Sequence, residues 1–130
     1  MGSGRGPGTA AATRKKSPPI PELGALGWLV FDPQAGREQA GRRPALVLSH
    51  TRYNAKTGLA VFCPITSSVK GYPFEATVPA GLPVSAVVLC DPVRSQDWKE
   101  RQWQPICKVP ATFVRDVLAR MLTLFDLPPT

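Results

Sequence analysis

Two adjacent arginines end a polar segment, directly before an apolar run. Residues 36–44 read GREQAGRRP and include Glu38, Arg42 and Arg43. Because Pro44 follows it, Arg43 is expected to have an extended backbone and to lead straight into a strand. A guanidinium held on a rigid element can donate two parallel hydrogen bonds to a phosphate. The segment therefore indicates phosphate recognition, whereas a solvated loop in which Glu38 pairs with an arginine is the simpler interpretation of this segment alone.

A second polar cluster follows a later apolar run. Residues 64–71 read PITSSVKG and supply the hydroxyls of Thr66, Ser67 and Ser68 together with the ammonium group of Lys70. Hydroxyl and ammonium groups can donate hydrogen bonds to a phosphoryl oxygen. Taken alone, the cluster is better explained as an ordinary turn rich in serine and threonine.

Short runs of β-branched and aromatic residues would position both clusters. They are bounded by Gly, Pro or Asn, as strands are. The predicted strands cover residues 26–31, 44–49, 59–65, 74–78 and 85–90, with weaker candidates at 93–95 and 104–108. Residues 54–58, NAKTG, resemble the loop of a hairpin between the second and third strands.

The last predicted element is a helix over residues 110–125. At 100° per residue, its large apolar side chains fill one half of the surface, and Arg115, Asp116 and Arg120 lie on the other. We expect the apolar half to pack on the sheet, and a share of it could face a partner subunit. Strands followed by one helix predict an α+β fold. Its expected form is a small, strongly bent antiparallel sheet of the SH3-like barrel type with a C-terminal amphipathic helix.

Composition divides the chain into an arm and one domain. Residues 1–21 contain four Gly, four Pro, four basic residues and no acidic residue, so we expect a disordered basic arm. Such an arm would tether the protein to nucleic acid electrostatically, unless it belongs to the expression vector. Residues 22–130 are expected to form a single domain. The chain has 130 residues and a formal net charge of +7, which favours a polyanionic partner.

Several classes of protein are excluded or disfavoured by residue counts. The single histidine, His50, excludes a ribonuclease that uses two histidines as acid and base. Three cysteines without a C-x-x-C spacing argue against a disulfide framework or a zinc site, so we expect no metal and no cofactor. The apolar runs are too short to span a membrane. With no signal-peptide pattern, a cytoplasmic location is expected.

Six sequence blocks resemble the motifs of one known family and occur in the same order. They are GWLVFDP, GREQAGRRP, YNAKTG, PIT, KGYPFE and DPVRS, and they run in register from about residue 24 to residue 98. This arrangement is similar to that of the MazF/PemK family of toxin endoribonucleases, and it continues loosely to residue 125. In many members a histidine precedes the motif arginine, where this chain has Arg42, and a D-Q pair stands where this chain has Asp91 and Pro92. These differences bear on which RNA sequence is recognised more than on the reaction.

The resemblance implies a sheet of the SH3-like barrel type and metal-independent cleavage of single-stranded RNA. It places the catalytic arginine on Arg43, the catalytic threonine on Thr66 and the loop glutamate on Glu38. The expected RNA contacts are Phe31, Asp32, Arg42, Ser67, Lys70 and Arg94. It also implies a homodimer with RNA across the subunit junction, and inhibition by an antitoxin whose disordered acidic tail fills the RNA groove.

The expected reaction is attack by the RNA's own 2′-hydroxyl, which gives a 2′,3′-cyclic phosphate and a 5′-hydroxyl. Arg43 would stabilise the charged phosphorane, because a guanidinium is a strong donor but a poor base. Glu38 is then either the base or the group that orients Arg43. Two alternatives stay open: a CcdB-like toxin of the same fold that poisons gyrase, and a non-catalytic RNA-binding module. The C-terminal Leu-Pro-Pro-Thr argues against the first, because such toxins usually end in Trp-Gly-Ile.

Overall fold

The computed structural model describes residues 17–30 and 41–129. Within these residues the chain forms seven strands and two helices. The strands are β1 (Ala25–Val30), β2 (Arg42–Val47), β3 (Leu59–Thr66), β4 (Glu75–Thr77), β5 (Val87–Leu89), β6 (Arg94–Asp97) and β7 (Gln104–Lys108). The helices are α1 (Thr51–Thr57) and α2 (Ala111–Leu122). Residues 1–16, most of the expected arm, lie outside the described residues.

All the strand pairs are antiparallel, and the main path through the sheet is β4-β5-β3-β2-β1-β7. β3 is the central strand: β2 pairs with one edge, while β6 and β5 share the other. β6 pairs with residues 59–62 of β3, and β5 pairs with residues 65–66. A strand that passes from one ladder to another bends the sheet at the point of change. Among the described strands, the outermost two form no ladder with each other, so the sheet stays open rather than closing into a barrel.

Each face of the bent sheet covers an apolar core. One core contains Leu26, Leu46 and Cys63 and is closed by Phe113, Val114 and Val117 of α2. The other, smaller core is built around Phe62, Trp98 and Trp103, and the rings of Phe62 and Trp103 lie 5.5 Å apart. The predicted α+β class, with its antiparallel sheet and C-terminal helix, is therefore confirmed. Only the first turns of α2 are buried, since Leu122 is 60% exposed.

The expected hairpin loop at residues 54–58 is wrong, because this part of the chain is helical. α1 begins after His50, whose Nδ1 accepts a hydrogen bond of 3.1 Å from the Arg52 backbone N–H. It ends at Gly58, whose φ of 75° is the left-handed conformation that glycine adopts at helix ends. β2 and β3 are still antiparallel neighbours, so the helix replaces a tight turn without changing the topology.

Candidate functional site

A groove of about 630 Å³ lies where β2 begins and β3 ends. Its lining includes Arg43, Thr66 and Ser67, together with Val84, Ser85, Ala86 and Leu89. The β2–β3 register pairs Ala45 with Pro64. Extending this register by two residues places Arg43 opposite Thr66, and directly opposite residues have Cβ atoms about 5 Å apart. The fold therefore brings the guanidinium and the hydroxyl to one end of the sheet.

The two adjacent arginines lie on opposite faces of β2, because side chains alternate along a strand. The Arg42 guanidinium lies over the ring of Trp28, 5.0 Å from its centroid, and donates a hydrogen bond to Oε1 of Gln104. Arg43 is exposed and lines the groove. Among the described lining residues Arg43 is the only charged one, so it gives this part of the groove a positive charge.

The Thr66 hydroxyl is already oriented by its own backbone. Its Oγ1 accepts a hydrogen bond of 3.0 Å from the Ser68 N–H, which forms a turn of the kind expected at this cluster. A hydroxyl that accepts one hydrogen bond still has a proton to donate. Thr66 is half-buried, so this proton can meet a phosphoryl oxygen in the groove.

The loop between β3 and β4, residues 67–74, carries Lys70. Its backbone is held by Glu75, whose carboxylate accepts hydrogen bonds from the N–H groups of Lys70 and Gly71. Sequence reasoning gave Glu75 no role, although it ends the KGYPFE block. The signal that could have found it is an acidic residue four positions after a Lys-Gly pair.

Other predicted site residues lie farther away or outside the described residues. Arg94 is exposed at the start of β6 and pairs with Phe62 of β3. Phe62 precedes Thr66 by four residues, which corresponds to about 13 Å along a strand. Arg94 is accordingly absent from the groove lining. Phe31, Asp32 and Glu38 fall within residues 31–40, which lie outside the described residues.

The described lining of the groove contains no thiol, imidazole or carboxylate. Burial raises the pKa of the Cys63 thiol to about 12 and that of Cys90 to about 11, so both stay protonated and inert at neutral pH. His50 is exposed at the start of α1, as expected for a loop histidine. Within residues 17–30 and 41–129, no three His, Cys, Asp or Glu side chains form a group that could hold a metal ion. What this part of the groove offers to a ligand is therefore a cation and hydroxyl donors.

Comparison with known proteins identifies the family. Residues 22–125 match the family described as PemK-like, MazF-like toxin of type II toxin–antitoxin system. The chain belongs to this family. The toxin is 48% identical to the endoribonuclease toxin MazF of Escherichia coli over 82 residues, which cover 63% of this chain and 73% of that protein.

Solved structures agree with this assignment. The crystal structure of MazF (Form-I) from Deinococcus radiodurans matches the toxin with a TM-score of 0.73 and 52% identity, over 81% of this chain and 96% of that one. The MazE–MazF complex (Form-II) from the same organism matches with a TM-score of 0.71 and 47% identity, over 81% of this chain and 94% of that one. The open antiparallel sheet with its C-terminal helix is thus a MazF-like fold. In the described part of the toxin, no helix is both long enough and apolar enough to cross a membrane.

Proposed function

We propose that this endoribonuclease toxin cleaves single-stranded RNA at short sequences through attack by the substrate's own 2′-hydroxyl, without a metal ion. The products are a 2′,3′-cyclic phosphate and a 5′-hydroxyl. The observation that carries the proposal is the register of β2 and β3, whose extension sets Arg43 opposite Thr66 in one open groove. The crowded phosphorane formed by the attack needs donors fixed in advance, and rigid strands provide them.

Arg43 and Thr66 have different roles in this mechanism. The planar guanidinium of Arg43 donates to two oxygens of the phosphorane, and the hydroxyl of Thr66 adds a neutral donor. One preorganised donor of this kind contributes about 3–4 kcal/mol to transition-state stabilisation. The hydrogen bond from the Ser68 N–H fixes the hydroxyl of Thr66 before RNA arrives, so its reorientation costs little.

Glu38, a residue outside the described part of the chain, is proposed to be either the general base or the group that orients Arg43. As a base, Glu38 would take the proton of the 2′-hydroxyl. Acting instead as an orienting group, it would hold Arg43. The variant Glu38→Gln separates these roles, because loss of a base removes the acidic limb of the pH–rate profile. A lost orienting group lowers the rate at every pH.

Further RNA contacts are proposed both beside Thr66 and at residues outside the groove. Ser67 follows Thr66 in the groove lining and Lys70 lies farther along the same loop; both would hold the scissile region. Phe31 and Asp32 would also contact the RNA, as the family resemblance implies. Arg42 and Arg94 are also proposed to contact the RNA. Because both of these arginines lie away from the groove, they would contact the neighbouring nucleotides electrostatically.

The working form of the toxin is proposed to be a homodimer, neutralised by an antitoxin with an acidic tail and acting on messenger RNA in the cytoplasm. A second copy would cover large apolar side chains such as Leu122 and Phe125, which are 60% and 66% exposed. The antitoxin is supported by the MazE–MazF complexes of relatives. Light scattering at micromolar concentration should give the mass of two chains. A fully active monomer would contradict this.

The proposed chemistry is tested by incubating the toxin with a long unstructured RNA in EDTA and identifying the ends. Cleavage should continue, and each cut should leave a cyclic phosphate and a 5′-hydroxyl. A substrate with a single 2′-deoxynucleotide at the cut site should bind but resist cleavage. Activity that is lost in EDTA and restored by Mg²⁺ would refute the metal-independent mechanism. Binding without any cleavage would instead support the non-catalytic alternative.

The catalytic arginine is tested by a matched pair of variants, Arg43→Lys and Arg42→Lys. Both keep the charge, so long-range attraction for RNA should not change. Lysine lacks the planar fork, so Arg43→Lys should lose about 10²–10³ in cleavage rate. Arg42→Lys should lose far less, since its side chain contacts Trp28 and Gln104 on the other face. The reverse pattern would show that the neighbouring arginine is the catalytic one.

A further inference from the structure

We infer that Glu75 is a positioning residue for RNA binding, because its carboxylate holds the backbone of the loop that carries Lys70 and that begins at Ser67 of the groove lining. This inference rests on the proposed function, in which Lys70 contacts the RNA. Glu75 would act through the backbone of the loop, without touching the substrate.

The carboxylate of Glu75 closes the loop on itself. Its Oε2 accepts a hydrogen bond of 2.9 Å from the Lys70 N–H, and its Oε1 accepts one of 2.7 Å from the Gly71 N–H. The Glu75 N–H in turn donates to the Tyr72 carbonyl oxygen at 3.1 Å. Gly71 has a φ of 82°, so the chain turns there through a conformation that other residues rarely adopt.

The far end of the loop is fixed by separate contacts. Arg120 of α2 donates a hydrogen bond of 2.8 Å to the Pro73 carbonyl oxygen, and the Phe74 carbonyl oxygen accepts one of 2.8 Å from the Cys90 N–H. The near end is fixed at Thr66, whose hydroxyl holds the Ser68 N–H. Lys70 lies between these anchors, and the hydrogen bonds that hold its own backbone come from Glu75. Loss of that carboxylate should therefore loosen the segment that carries the Lys70 ammonium group.

The carboxylate of Glu75 is hydrogen-bonded to backbone N–H groups and forms no ion pair with the ammonium group of Lys70. None of the ion pairs found in the described part of the chain includes Lys70, so its ammonium group is available to a phosphate. Two physical effects then predict opposite results for removal of the carboxylate. Loss of a negative charge should strengthen RNA binding by long-range attraction. Loss of the loop anchor should weaken RNA binding.

The experiment compares Glu75→Ala with Glu75→Gln in cleavage kinetics and in binding of an RNA blocked by a 2′-deoxynucleotide. Glutamine has no charge but keeps an oxygen that accepts hydrogen bonds. We expect Glu75→Ala to raise KM and the Kd about three- to tenfold, with kcat within about twofold of the parent value. Glu75→Gln should bind RNA more tightly than Glu75→Ala but less tightly than the parent, because its amide oxygen replaces one of the two carboxylate oxygens and its NH2 group cannot accept from a backbone N–H.

Asp97→Ala is the matched control. Its carboxylate also holds a turn, by accepting from the N–H groups of Lys99 and Glu100 at 3.0 Å, but that turn lies away from the groove. Asp97→Ala should leave KM unchanged. The second test is the double variant Glu75→Ala with Lys70→Ala, which should bind no more weakly than Lys70→Ala alone if both changes remove the same contact.

Gly71→Ala perturbs the same loop independently and keeps the inference testable if Glu75→Ala does not fold. An alanine Cβ there meets no atom within 4 Å, so the change acts through backbone strain at positive φ and should also raise KM. Tighter binding by Glu75→Ala, or an unchanged KM in both loop variants, would overturn the inference. Fully additive losses in the double variant would overturn it too. Failure of the parent toxin to cleave or bind RNA would instead refute the proposed function.

Discussion

Asn54→Ala tests whether the YNAKTG block serves the fold or the chemistry. Asn54 is fully buried, and its side chain is hydrogen-bonded to Ser49 and to Pro21, which is distant in the sequence. Its Oδ1 accepts a hydrogen bond of 2.5 Å from the Ser49 hydroxyl, and its Nδ2 donates to the carbonyl oxygens of Pro21 and Ser49 at 2.8 and 3.2 Å. The Asn54 carbonyl oxygen accepts a hydrogen bond of 3.0 Å from the Trp98 indole, and this contact would survive in the variant.

The cost of the substitution follows from what is left without a partner. Pro21 is buried, so loss of the donor to its carbonyl oxygen should cost about 1–3 kcal/mol. Ser49 is half-buried, so its groups can turn to water, and their lost bonds should cost about 1 kcal/mol. Alanine regains about 0.5 kcal/mol through its higher helix propensity. We therefore expect the free energy of unfolding to fall by about 2–3 kcal/mol.

The measurement is urea unfolding followed by circular dichroism, with the slope against urea compared between variants. Lys56→Ala, an exposed position on the same helix, is the control and should stay within about 0.5 kcal/mol of the parent. At temperatures where the protein is folded, Asn54→Ala should cleave RNA at the parent rate. A free energy of unfolding equal to that of the parent would show that the buried network does not hold the segments together. A folded but inactive variant would show that the block takes part in the chemistry.

Two further predictions concern the core. Gly27→Ala should destabilise the protein by about 1–3 kcal/mol, because its Cβ would lie 2.5 Å from both the Gln104 carbonyl oxygen and the Trp103 ring. Unfolding in urea measures the loss of stability, and an unchanged unfolding midpoint would contradict the prediction. Stability should also fall as the pH rises from about 9 towards 12. The thiols of Cys63 and Cys90 keep their protons in the folded state up to a pKa of about 12 and about 11, whereas the unfolded thiols lose theirs near 9.0. The protonated thiols make their full contribution to the free energy of unfolding below pH 9. Above pH 9, the free energy of unfolding should fall less steeply for Cys63→Ala than for the parent. Parallel plots of the free energy of unfolding against pH would refute the attribution to Cys63.

Local sequence patterns predicted most of the elements because each pattern depends on neighbouring residues. The run at residues 104–108 was predicted as a strand, and β7 covers the same residues. The rule that a residue before proline is extended predicted that Arg43 leads into a strand at residue 44, and β2 already includes Arg42 and Arg43. The pattern failed at residues 54–58, where Asn and Gly resembled a tight turn. There the deciding contacts of Asn54 come from Pro21 and Trp98, which are distant in the sequence.

The sequence by itself determined the α+β class, the strands that carry the two polar clusters, and, through ordered motifs, the family to which the toxin belongs. The tertiary structure decided which functional groups meet. The β2–β3 register brings Arg43 towards Thr66, and strand alternation sends Arg42 to the other face. The tertiary structure also shows that the Glu75 carboxylate accepts hydrogen bonds from the backbone of the Lys70 loop. The physical reason is that strand register is set by packing across the whole sheet, whereas sequence patterns report only the local preferences of the chain.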